Sequence, residues 1–314
     1  MSKIANSILA EHASQHDFAI EAKNLNKSFG KKHVLSDLSF TIGTSSITGL
    51  LGRNGAGKTT LMKICAGHIA KGPNGTLKVL GANPFNNLTV LSKLIYSCHD
   101  LSYSGGLKLK TILSDYDALF PTFERTFAEG LLSYFDLDTD ARYVGLSQGD
   151  KSTFNFVCAL AARTPLTMLD EPTLGMDITV RKAAYEILMR EYSHYPRTFI
   201  IASHLISEVE NVLDDVLILD AGKIVLHDSI ENMRQSAYQV QGDKADIEIF
   251  IADKKVIHKD FAETLSTVVI YEPATEAAAQ EAQSAHLRLS AVRPEDLYVY
   301  LTHERKGGDL ECLW

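Results

Sequence analysis

The stretch GRNGAGKTT, residues 52–60, constrains this chain more than any other. It fits the pattern G-x-x-x-x-G-K-[S/T] and lies between the short apolar run SSITGLL and the helix-like TTLMKICAGHIA. That context predicts a buried strand turning tightly into a helix. Glycines let backbone N–H groups wrap an anion, and the helix start adds its dipole. Gly52, Arg53, Asn54, Gly55, Ala56, Gly57, Lys58, Thr59 and Thr60 are therefore candidates to hold the phosphates of a nucleotide. Lys58 is suited to reach β- and γ-phosphates, the Thr59 hydroxyl to sit on Mg²⁺, and Thr60 to support the helix start. The loop alone admits a kinase, a GTPase or an ATPase. A GTPase would need an Asn-Lys-x-Asp base reader, and Asn26-Lys27-Ser28-Phe29, which precedes the loop, is not one.

A second stretch supplies acids. LTMLDEP, residues 166–172, reads as a short strand ending in two carboxylates. Asp170 is suited to hold Mg²⁺ and Glu171 to polarise an attacking water as general base. Phosphoryl transfer needs this division of labour between metal and nucleophile.

The rest of the chain sorts into regions. Residues 18–51 alternate apolar and polar residues and read as strands. From about 100 to 162 apolar residues recur at threes and fours, as in LKTILSDYDALF, ERTFAEGLLSYFD and KSTFNFVCALAAR, predicting an inserted helical block. Strands then alternate with helices: LTMLD, a helix over 178–192, TFIIAS, a helix over 205–213, VLILD and KIVL. This alternation implies a parallel sheet covered by helices. After about 236, DIEIFIAD, TVVIYE and HLRLSAV read as strands, ATEAAAQEAQSA as helix or linker, and PEDLYVYLTHE as a closing helix. The expected division is an N-terminal extension 1–17, an ATPase domain 18–235 and a small C-terminal accessory domain 236–314. No internal repeat is visible.

Composition excludes several classes. A net charge of -8 argues against broad electrostatic binding to nucleic acid. The four cysteines form no CxxC pair, so neither a disulfide framework nor a zinc site is expected, and a reducing cytosol fits. No run of eighteen apolar residues exists, and MSKIANSILAEHASQHD is too polar for a secretory signal. A soluble protein is expected, with any membrane role passing through a partner.

These motifs in this order resemble the ATP-binding subunit of an ABC transporter over roughly residues 18–230. The resemblance rests on the loop 52–60, LSQGD at 146–150, LTMLDE at 166–171, GMD at 175–177 and His204 after TFIIAS. It implies an α/β P-loop NTPase fold of ABC type with an antiparallel β subdomain, an inserted α-helical subdomain and a small α+β C-terminal accessory domain. LSQGD is similar to the family signature LSGGQ. Ser147 and Gly149 match, while Gln148 and Asp150 depart from it. The resemblance implies that Ser147 and Gly149 contact the γ-phosphate of ATP held by a second ATPase subunit. Asp177 matches the aspartate that couples the two sites, and His204 the switch histidine that senses the γ-phosphate. Phe29 matches the aromatic that stacks on adenine, with a buried core phenylalanine as the competing reading. Where the family has a glutamine after the strand LIYSCHD, this chain has His99, either a substitute or an ordinary loop residue.

The resemblance further implies ATP and Mg²⁺ as ligands, and a partner ATPase in a homodimer or related heterodimer. It implies a separate transmembrane permease, an exporter, and a cytoplasmic chain peripheral on the inner face of the membrane. A soluble ABC-type ATPase without a transport role is one alternative. Ribosome-associated members carry two cassettes, and DNA-repair members a long coiled coil. Here one phosphate loop and one signature stand about ninety residues apart without sustained heptads. A weakly hydrolysing regulatory module is the other alternative, favoured by His99 and Gln148.

Overall fold

Strands β1 (Phe18–Phe29) and β2 (Lys32–Gly43) form an antiparallel hairpin that closes with Phe29 opposite Lys32. This computed structural model describes residues 18–103, 106–261 and 265–302; the expected extension 1–17 and the chain from 303 on, with Cys312, lie outside the described residues. Strand β3 (Ile47–Leu51) is buried at every position, as a central strand covered on both faces must be. It runs through the phosphate loop into helix α1 (Lys58–Cys65). That helix stops short of the expected Ala70, because Gly67 takes a φ of 70° just past its end. Strand β4 (Thr76–Val79) pairs with the other edge of β1, giving a three-stranded antiparallel sheet. A single turn, α2 (Leu88–Leu91), then leads to β5 (Leu94–Cys98).

The helical block follows as α3 (Leu109–Leu119), α4 (Arg125–Tyr134) and α5 (Gln148–Ala161). The last is buried from Ser152 to Ala161 and carries the block onto the sheet. Strand β6 (Leu166–Asp170), helix α6 (Ile178–His194) and strand β7 (Thr198–Ser203) come next. The helix expected over 205–213 is only the turn α7 (Ile206–Val209). Beyond it the chain bends, burying Val212 and Leu213 and placing Asp214 so that Oδ2 accepts from the Ile47 N–H at 2.8 Å. Strands β8 (Asp215–Asp220) and β9 (Lys223–Ser229) complete a six-stranded sheet of order β5-β6-β7-β3-β8-β9. All of its pairings are parallel except β8–β9.

After α8 (Ile230–Gln235) and β10 (Tyr238–Gly242), the expected strand DIEIFIAD is instead helix α9 (Lys244–Phe250). Asp243 caps it by accepting from the Ala245 N–H at 2.8 Å. Ile247 and Phe250 are buried three residues apart while Ile249 is exposed, which is the helical period rather than alternation. Strands β11 (Val256–Phe261) and β12 (Ser266–Ile270) follow. The alanine-rich stretch is a helix, α10 (Glu276–Ser284), capped by Thr275. Strand β13 (Arg288–Ala291) completes an antiparallel sheet of order β11-β12-β10-β13, and α11 (Pro294–Thr302) ends the described chain. This sheet has its own small core around Tyr238, Val240 and Phe250. Val269, Val292, Leu297 and Tyr298, however, pack into the main core with Ile206 and Val209.

The helical block is pinned to the sheet by a buried ion cluster. Glu191 of α6 takes Arg163 Nε at 2.8 Å and Arg197 Nη1 at 3.3 Å, and Arg197 Nη2 donates to the Leu160 carbonyl at 2.9 Å. Burial pushes the Arg197 guanidinium down to about 10, which leaves it charged at neutral pH. Removing Glu191 leaves the buried Arg197 without a carboxylate and Arg163 with only Glu124, 3.5 Å away. Glu191→Ala is expected to destabilise the protein by about 3–5 kcal/mol, read as a shift in the denaturant midpoint of the full chain.

Candidate functional site

Parallel pairing brings the ends of β3, β6 and β7 together. Leu51 pairs with Ser203 and Asp170 with Ala202, so the phosphate loop, the acidic strand end and His204 emerge side by side. Gly55 and Gly57 hold φ of 85° and 110°, which a side chain would strain. A Cβ on Gly57 would also meet Leu35 of β2 at 2.7 Å.

Lys58, Glu171 and His204 converge. Lys58 Nζ donates to the Gly52 carbonyl at 2.6 Å and lies 3.6 Å from Glu171 Oε1. His204 Nδ1 is 2.9 Å from Glu171 Oε2. Glu171 takes a left-handed φ of 51°, an uncommon conformation for a residue with a side chain, and its N–H is held by the Ala202 carbonyl at 2.9 Å. Burial lowers the Lys58 ammonium from its ordinary value, opposed by the charges of Glu171 and Asp170.

Asp170 is fully buried. Tyr96 of β5 donates its hydroxyl to Oδ2 at 2.9 Å, while Oδ1 has no hydrogen-bond partner among the described residues. Burial raises its carboxyl above the ordinary value, and the hydroxyls of Tyr96 and Thr59 and the nearby His99 pull it back. A buried carboxylate oxygen without a partner, beside the Thr59 hydroxyl, fits a hard cation such as Mg²⁺, which prefers one or two protein oxygens and completes its shell elsewhere.

The remaining candidates fall into two groups. His99 is exposed after β5, on the side of Asp170, and its carbonyl lies 3.4 Å from Gln148 Nε2. Ser147 caps α5: its Oγ accepts from the Asp150 N–H at 3.1 Å and donates to the Asp150 carboxylate at 2.8 Å. Asp150, one of the two departures from the signature, thus holds the Ser147 hydroxyl through both its N–H and its carboxylate, without taking the Ser147 backbone N–H as a Ser-x-x-Glu cap would. A Cβ on Gly149 would strike the Gly175 carbonyl oxygen at 2.5 Å, so the LSQGD loop and the GMD loop touch backbone to backbone. Asp177 caps α6 through Thr179 and Val180 N–H groups at 2.8 and 2.9 Å. Phe29 is half exposed with Lys27 Nζ 4.9 Å from its ring centroid, so the core reading is excluded.

Three participants were not legible in the motifs. Tyr96 holds Asp170 from the neighbouring strand. Glu208 of α7 ion-pairs with Arg181 and accepts from Thr173 Oγ1 at 3.3 Å, tying the His204 segment to the loop that leads into α6. Tyr298 of α11 lines a cavity of about 720 Å³ together with Arg53–Ala56 and His204. Each acts through tertiary contact, and no local spacing marks it.

The ABC transporter family profile matches residues 35–174. Nod factor export ATP-binding protein I of Rhizobium leguminosarum bv. viciae is 32% identical, over 65% of this chain and 67% of that one. ABC transporter ATP-binding protein YtrB of Bacillus subtilis is 27% identical, over 80% of this chain and 86% of its own. The solved structure of an ATP-binding subunit of an ABC transporter superposes with a TM-score of 0.63 at 23% identity, covering 69% of this chain and 92% of that one. This chain belongs to the ABC transporter family as an ATP-binding protein, an ATPase whose hydrolysis is coupled to transport.

Asp170 makes the free site costly. Its folded carboxyl holds a proton above the ordinary 3.8, so its contribution to stability is full in acid and declines as pH rises from 3.8 through the raised value. Asp170→Asn lacks that decline. The variant is expected to gain on the wild type across this window and to be more stable by about 1 kcal/mol at neutral pH without nucleotide or metal. Urea unfolding between about pH 4 and 7 checks it.

Proposed function

We propose that this chain powers a membrane exporter by ATP-driven pairing with a second ATPase subunit, and that hydrolysis reopens the pair. The observation that carries the reading is the convergence of Lys58, Glu171 and His204 beside Asp170. Gly52–Thr60 cradle the triphosphate, and Lys58 offsets charge on its terminal phosphate. Glu171 accepts a proton from the attacking water. His204 orients Glu171 through Nδ1; with the Nδ1 hydrogen engaged in a hydrogen bond to the carboxylate, the neutral ring has only an acceptor at Nε2 and offers the phosphate a donor there only when protonated. Thr59 and Asp170 would hold Mg²⁺, which supplies positive charge to the phosphates when bound. Phe29 stacks on the adenine.

Each ATP is completed by the other subunit, through Ser147 and Gly149 and the loop ending at Asp177. The exposed Ser147 at a helix N-terminus supports this, because such a terminus favours an anion. His99 stands in for the missing glutamine, which its position near Asp170 supports. The motion passes through the helical block, about 100–162, to a separate permease. The name of the Nod factor export relative supports an exporter. No helix among the described residues is long and apolar enough to cross a membrane. The chain is placed in the cytoplasm, peripheral on the inner membrane face through its permease, a reading supported by relatives named as ATP-binding proteins of transporters. Residues 18–235 act as the ATPase domain and 236–314 as an accessory, regulatory one.

A second reading, a regulatory module with weak hydrolysis, is favoured by the Ser147 hydroxyl being held on Asp150. One comparison separates the two. Glu171→Gln is expected to cut kcat by about 100-fold or more while retaining ATP binding and accumulating an ATP-bound dimer. Equal, slow turnover in both proteins, with no ATP-driven dimer, would select the regulatory reading. Ser147→Arg is expected to leave ATP binding by the single subunit intact and to abolish dimerisation and turnover in size-exclusion and phosphate-release assays. Loss of the cap costs about 1 kcal/mol, visible as a lower melting temperature.

A further inference from the structure

The last helix, α11, reaches the phosphate loop of its own chain. Tyr298, Val299 and Thr302 form one wall of the 720 Å³ cavity, and Arg53–Ala56, His204 and the Asp220–Ala221 turn form the others. Tyr298 is 6% exposed, and its hydroxyl is buried without a hydrogen-bond partner among the described residues. Native structures rarely leave such a group unmatched without a use for it. Burial pushes its ionisation up to about 12, so at neutral pH it is a proton donor. The charges facing it are Arg53 of the phosphate loop, Asp220 at the end of β8, and Glu171.

The helix is firmly seated. Leu297 and Tyr298 share the main core with Ile206 and Val209 of α7, which begins two residues after His204. Ser207 Oγ donates to Glu295 at 3.4 Å. Across the cavity, the start of the phosphate loop is held by Lys58, whose ammonium donates to the Gly52 carbonyl at 2.6 Å. A triphosphate competes for that ammonium. Once Lys58 turns to phosphate, the Gly52 carbonyl loses this bond, and Arg53 and Asn54, both exposed, follow it directly in the chain.

We propose that Tyr298 is a positioning residue of the ATP site: its hydroxyl donates to the Arg53–Asn54 segment when the phosphate loop closes on ATP, linking the C-terminal unit to nucleotide occupancy. This rests on the reading that Gly52–Thr60 hold the triphosphate. Tyr298→Phe keeps the ring in the core and removes only the donor. In the full chain, with ATP and without added Mg²⁺, the variant is expected to bind ATP about three- to ten-fold more weakly, the range one hydrogen bond supplies. Its melting temperature without ATP is expected to be unchanged or slightly higher, because an unmatched buried hydroxyl has been removed. Undiminished ATP affinity overturns the proposal. So does a lower melting temperature without ATP, which would mean that the hydroxyl is already bonded in the free protein. Lys58→Ala measured alongside separates the two levels. It is expected to abolish ATP binding, and wild-type affinity in that variant would remove the phosphate-loop reading and this inference with it.

Discussion

Everything in the site depends on one constraint: β3, β6 and β7 pair in parallel, so their carboxyl ends lie on one edge of the sheet. Ligand sites in open α/β sheets form at that edge. Here it receives a glycine turn from β3, two carboxylates from β6 and a histidine from β7. None of the three strands alone brings a glycine turn, two carboxylates and a histidine together. Their fixed register does, and the buried central strands make that register costly to slip.

The edge accepts disfavoured features. Asp170 is a buried carboxylate with an unmatched oxygen, Glu171 is in a left-handed conformation, and Lys58 is a partly desolvated cation. The surroundings over-determine all three: Tyr96 holds Asp170, the Ala202 carbonyl fixes Glu171, and the Gly52 carbonyl holds Lys58. Such costs are retained where a ligand later offsets them.

The motifs made the phosphate loop, the acidic strand end and the helical block readable from sequence, because local spacing and backbone geometry determine them. Sequence pattern and structure part where composition and period disagree. DIEIFIAD is rich in isoleucine, yet Asp243 caps a helix and the burial of Ile247 and Phe250 follows a helical period. The chain past Val209 turns early because Asp214 must bond to Ile47 on the neighbouring β3, a contact that no local pattern records. Tyr96, Glu208 and Tyr298 were missed for the same reason: each is defined by what lies across from it.

The contact between Gly149 and Gly175 has a mechanical consequence. Side chains absorb small displacements by changing rotamer, whereas two backbones in contact do not. The Ser152 hydroxyl, donating to the Leu174 carbonyl at 2.7 Å, clasps the same seam from the inside. The LSQGD and GMD loops therefore travel as one stiff piece with the start of α5. A displacement of either loop would reach the long buried helix of the block without slack.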